Sequence, residues 1–228
     1  MGMLKQFFRT MFREGTVPRT GSQGTPRTRE AITEHLAVSR YGQFELTDAV
    51  RPSFDLSIIP EEGFRLDEFR DEECGISVPV LMASVSKEKL FDTFLELLDP
   101  LGNLVDVVLE SSHATNRTDH IDLLRESIDL PVLKSVLLEY EDMLLNDGCT
   151  GIAVLAPEIP MEVQFDEHKL LMVYGDELYP MEEIFLTNGV PRRENLRFLT
   201  ETEHLHSSRE TYRNQFKKLR FHLGIDEE

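Results

Sequence analysis

The chain has 228 residues, 40% of them apolar and 29% charged, which is enough to bury a core and too apolar for wholesale disorder. Its formal net charge is −18 and is segregated: residues 1–30 hold six basic side chains against two acidic, residues 191–223 eight against four, and residues 31–190 ten against 33. A body this negative repels phosphate backbones, which excludes duplex nucleic acid and favours cations, a basic protein surface or the chain's own basic ends.

Leu4, Phe7, Phe8, Met11 and Phe12 form one stripe of a short helix whose other face is basic. Residues 3–13 therefore have the pattern of a segment that rests on an anionic membrane surface or in a partner's groove. Lys5, Arg9 and Arg13 interrupt any signal-peptide core, and no apolar run approaches the ~20 residues of a membrane span. Residues 15–30, rich in Gly, Pro, Thr, Ser and Arg, read as a linker, so 1–35 is assigned as a flexible basic segment.

The globular domain is expected to occupy residues 36–223, with 224–228 as an acidic tail. Phe44-Glu45-Leu46 and the run from Phe54 to Ile59 alternate as strands do, between Pro52, Pro60 and Gly63. The cluster Asp67, Glu68, Asp71, Glu72 and Glu73 lacks a calcium-loop register and reads as a solvated acidic face.

Val78 to Val85 is the first core strand, with Ser86 placed to cap a helix whose stripe is Leu90, Phe91, Phe94, Leu95 and Leu98. Asp99-Pro100-Leu101-Gly102 ends that helix, and Leu104 to Leu109 is the next strand. A strand, a helix and a strand in succession predict a right-handed parallel crossover. Asp106 lies on the mixed face of its strand, either partly solvated or as a buried carboxylate that marks a ligand site.

Ile121, Leu124 and Ile128 have helical spacing. Pro131 then opens a longer helix with Leu133, Val136, Leu137, Tyr140 and Leu144 inward, stopped at Gly148 by a left-handed cap. A strand from Gly151 follows, then a hairpin of residues 162–165 and 170–174 turning over Asp166-Glu167-His168-Lys169. Met181 to Leu186 suggests a helix, and the tail from Arg193 has helical composition, with Arg209, Arg213, Lys217 and Arg220 as a basic stripe.

No phosphate loop or nucleophile elbow is present. His204 and His206 lie two apart and converge, with His113, His120 or His168 near them, only if their segment is extended. The surrounding pattern reads as helix, so no metal and no other cofactor is assigned. Cys74 and Cys149 lack CxxC spacing and read as free thiols in a reducing, cytoplasmic compartment.

The fold class is thus α+β: a two-layer mixed sheet of about five to seven strands with a parallel start, helices mainly on one face and a helical C-terminus. In parallel sheets, ligands gather at the carboxyl ends of strands. That rule nominates Glu110, Ser112, His113 and Glu158 as catalytic candidates, and Ser84, Ser86 and Asp106 as ligand-binding candidates. Without a catalytic motif, the expected function is a non-enzymatic interaction or regulatory domain that binds a basic protein surface or a small ligand. The alternative is a small hydrolase or transferase acting near Glu110 and His113.

Overall fold

A computed structural model describes residues 28–71, 75–113 and 121–225. The expected helix at 3–13, most of the linker, Glu72, Glu73, Cys74, Thr118, Asp119, His120 and the extreme tail lie outside the described residues. The chain divides into two units, 1–38 and 39–228. The described part of the first unit holds helix α1 (Arg29–Leu36), begun by Thr28, whose hydroxyl accepts a hydrogen bond from the Ala31 amide at 3.2 Å.

The second unit is built on a seven-stranded sheet. Before it come short strands β1 (Arg40–Tyr41), β2 (Phe44–Glu45) and β3 (Val50–Pro52). The sheet itself comprises β4 (Gly63–Asp71), β5 (Ile76–Ser84), β6 (Leu104–Ser111), β7 (Ile121–Asp129), β8 (Thr150–Leu155), β9 (Met161–Phe165) and β10 (Leu170–Gly175). Helices α2 (Lys87–Leu97), α3 (Leu130–Glu139), α4 (Glu141–Asn146), α5 (Tyr179–Thr187) and α6 (Glu210–His222) cover it, and a short strand β11 (His204–His206) pairs with β3.

The α+β class holds, but the mixed sheet gives way to an antiparallel one. The strand order is β4-β5-β10-β9-β8-β6-β7, and every neighbouring pair is antiparallel. Strands β5 and β6 run in the same direction, as a crossover through α2 requires, yet three strands separate them. The hairpin occupies that gap because β10 offers β5 a matching apolar row, with Leu171 opposite Ala83 and Val173 opposite Leu81.

One face of the sheet carries Phe64, Leu81, Val107, Leu109, Val154, Val163 and Phe165 into a single buried cluster. Phe91 and Phe94 of α2, Leu133 and Leu137 of α3, Phe185 of α5 and Phe216 of α6 fill it from the helical side. Phe94 packs on Phe165 with ring centroids 5.2 Å apart, and Phe64 stacks on Phe185 at 5.1 Å.

Two further segments depart from the sequence reading. Residues 121–129 form an edge strand instead of a helix: Ile121 and Leu124 are both exposed and face opposite sides of the strand, and a bulge opposite Val105 and Val107 resets the register before Ile128. Ser127 takes a left-handed φ of 55° there, and its amide donates to the Asp106 carboxylate at 2.9 Å. The expected long helix is two helices, broken at Tyr140, where φ is −115° and ψ 14°.

Phe94→Ala should cost about 3–5 kcal/mol, since Phe94 is fully buried between α2 and the sheet. Denaturant unfolding followed by circular dichroism measures this.

Candidate functional site

Antiparallel pairing decides which strand ends meet. At one end of the sheet β5, β6 and β9 finish while β4, β7, β8 and β10 begin. Ser84, Ser86, Glu110, Ser112 and His113 therefore share that end, as the sequence reading expected. Glu158 does not join them: it follows the carboxyl end of β8, which runs the opposite way, and lies exposed at the far end of the sheet. Asp106 also sits toward the far end, opposite Leu155, and its 3% exposed carboxylate supports the β7 bulge.

Ser86 and His113 have defined partners. Ser86 precedes α2, and its hydroxyl accepts from the Glu45 amide at 3.0 Å and donates to Glu88. Ser84 lines a small cleft together with Leu46, Val50, His168, Lys169 and Leu199. The His113 Nε2 lies 2.7 Å from Asp147 Oδ2, and the same oxygen accepts from the Thr150 hydroxyl at 2.6 Å. Burial alone would raise Asp147, but hydrogen bonds from His113, Ser208 and Thr150 outweigh it and hold the carboxyl below its ordinary value. The Ser112 hydroxyl faces the Cys149 carbonyl at 3.5 Å, and burial pushes the Cys149 thiol up, away from the reactive thiolate.

Glu110 is 4% exposed and lies against Gly151, where an added Cβ would come within 2.8 Å of its Oε2. Among the described residues its Oε1 has no hydrogen-bond partner. Burial first, then the charges of Glu167, Asp122, Glu162 and Asp166, raise its carboxyl well above the ordinary value. Glu162, on β9, is 1% exposed; burial pushes it up to about 8, although Gln164 donates to its Oε1 at 2.7 Å.

The β9–β10 turn holds the densest group of polar side chains at this end. Asp166 Oδ1 accepts from the Leu170 amide at 2.8 Å and closes the turn, while Oδ2 faces His168 Nδ1 at 2.8 Å. Lys169 takes a left-handed φ of 64°, a strained choice for a lysine. Its buried ammonium donates to the Thr150 carbonyl at 2.8 Å and stands 5.2 Å over the Phe165 ring. Burial lowers that ammonium to about 8 against the pull of Asp166, Asp147 and Glu167.

The segment 204–206 is a strand, so the condition for convergence stated from sequence is met. His204 and His206 share one side of β11 and stand beside His168, with ring centroids 4.8–4.9 Å apart for each of the three pairs. Burial and the neighbouring His168 pull His204 and His206 below the ordinary imidazole value. Burial also pulls on His168, but Asp166 outweighs it and raises that ring.

Composition and spacing alone do not single out Asp147, Asp166, Glu162 or Lys169. Two signals were available. The turn Asp166-Glu167-His168-Lys169 is itself polar and chemically dense, and Thr202, His204 and His206 alternate as a strand does.

Gly148 fixes β11 in place. A Cβ there would come within 2.5 Å of the Ala49 carbonyl and 2.8 Å of the Ser207 carbonyl. The Gly148 amide donates to Ser207 at 2.8 Å, and its carbonyl accepts from His206 Nδ1 at 2.7 Å. The glycine is therefore required for close approach, whereas the sequence suggested a left-handed cap; its φ is not positive.

Comparison with protein-family models, with curated proteins and with solved structures finds no match for this chain.

Gly148→Ala should displace β11 and lower stability by about 1–3 kcal/mol, with His206 amide and ring NMR shifts moving more than those of α3. A second expectation concerns pH. The stability contributed by protonated Glu162 is full below about 4.5, the unfolded value, and is lost as pH climbs through the folded value of about 8. Stability should fall by about 1 kcal/mol per pH unit across that window, and Glu162→Gln should flatten the slope in urea titrations at several pH values.

Proposed function

We propose that the chain is a non-enzymatic binding module that recognises a positively charged partner at the sheet end carrying the β9–β10 turn. The observation that carries this reading is Glu110, a buried carboxyl with one oxygen unpartnered among the described residues, whose ionised form is opposed by burial and by the charges of Glu167, Asp122, Glu162 and Asp166. Like charges repel one another, and a cationic group brought near them relieves the repulsion. Two members of the basic stripe are already engaged within the chain, Arg209 with Asp48 at 3.4 Å and Arg220 with the Ile225 carbonyl at 3.1 Å.

A hydrolase or transferase is the second reading, and the His113–Asp147 hydrogen bond favours it. Against it, the described hydrogen bonds join neither Ser112 nor Cys149 to His113, so a nucleophile and its base are not assembled. Basic-surface recognition accounts for more of what this end of the sheet contains.

Fluorescence anisotropy with labelled oligolysine tests the proposal. Binding is expected at low ionic strength, falling steeply toward physiological salt. The double substitution Asp122→Asn with Glu167→Gln, at two side chains not fully buried, should weaken it several-fold. Absence of binding at low salt, or binding indifferent to both salt and substitution, overturns the reading.

A further inference from the structure

The three histidines at the same end carry a more specific chemistry. One ring nitrogen from each of His168, His204 and His206 lies within 4.8 Å of those of the other two. The Nδ1 atoms are already engaged: His168 with Asp166 Oδ2 at 2.8 Å, His204 with the Thr202 carbonyl at 2.8 Å, and His206 with the Gly148 carbonyl at 2.7 Å. A carbonyl oxygen can only accept, so the Nδ1 of His204 and of His206 carries the hydrogen, and Nε2 is left with the lone pair.

This is the hydrogen-bonding pattern that fixes imidazoles as metal ligands, a carboxylate or carbonyl holding the back of each ring. Lone pairs gathered this closely also repel, so a positive charge belongs between them. We infer that His168, His204 and His206 hold one divalent first-row transition-metal ion of zinc's class, with Asp166 positioning His168.

Imidazole donors select for such ions over calcium or magnesium, which take oxygen ligands. A tetrahedral ion bound at about 2.0–2.1 Å sets its nitrogens about 3.3 Å apart, a separation reached by small ring rotations from the present spacing. Glu167 supplies a carboxylate beside His168, since Asp166, Glu167 and His168 also lie within 4.8 Å of one another. Asp166 is committed to the turn and to His168, so a water from solvent completes the fourth position. His206 is exposed, which leaves a path from solvent.

The inference rests on the same end of the sheet being a binding end, but its chemistry is independent of basic-partner recognition. The full chain, stripped with a chelator, is titrated with Zn²⁺ by calorimetry and with Co²⁺ by visible absorption. One equivalent should bind at micromolar concentration, with d–d bands of a four-coordinate nitrogen and oxygen set, and Ca²⁺ and Mg²⁺ should not compete.

His206→Ala, at an exposed side chain, should abolish binding while circular dichroism stays unchanged. Asp166→Asn should weaken binding ten- to a hundredfold. His113→Ala is the control, because His113, Asp147 and Cys149 form a separate cluster of ligand atoms. No Zn²⁺ binding by the unaltered chain overturns the inference, as does loss of binding in His113→Ala but not in His206→Ala. If oligolysine still binds when Zn²⁺ does not, the metal assignment falls alone; if Zn²⁺ binds and oligolysine does not, the basic-partner reading falls alone.

Discussion

The close backbone approach at Gly148 is the constraint on which the rest of this end depends. Three pieces of chain meet there: the start of β8, the Ala49 turn before β3, and Ser207 after β11. The Ser207 amide donates to Ala49 at 2.8 Å and the Gly148 amide donates to Ser207 at the same distance, so β11 is held by main-chain bonds to two neighbours. Such bonds do not depend on side-chain rotamers. They place His204 and His206 rigidly, and a three-ring cluster needs that rigidity.

The β9–β10 turn supplies the opposite half of the arrangement, and it is built differently. One carboxylate, Asp166, closes the turn through Leu170 and orients His168 with its other oxygen. Lys169 accepts an unfavourable backbone conformation next to it and carries a buried ammonium to the Thr150 carbonyl. Strain and a buried charge at one residue oppose stability. Both are offset by the extensive apolar packing beneath, where Phe165 meets Phe94 and Lys169 itself lies over the Phe165 ring.

Much of the scaffold was legible in the residues. The hairpin over 166–169, the strands from Val78, Leu104 and Gly151, the α2 stripe and the helix near Met181 follow from periodicity, proline and glycine. Pairing direction was not legible, because a strand-helix-strand succession fits a parallel neighbour and a distant strand of the same sheet equally well. Glu158 was misplaced for that reason. The β7 strand was hidden because its apolar residues do not follow one face: Ile121 and Leu124 are exposed on opposite sides, and the bulge shifts the register before Ile128. The strand at His204 was masked by helix-forming neighbours on both sides, and it exists through pairing with β3, which lies some 150 residues earlier in the chain.

The interposition of β10, β9 and β8 between β5 and β6 has a consequence for how the polypeptide assembles. On a ribosome, the segment ending at β6 emerges with the β5 edge that β10 will occupy still open, and its rightful neighbour has not yet been synthesised. Closure of the sheet waits for a hairpin made late, so the nucleus joins contacts distant in the chain and folding belongs to the slow, high-contact-order regime. The proline in β5 suits that delay: Pro79 has no amide hydrogen to offer, which discourages a nascent edge from recruiting another molecule.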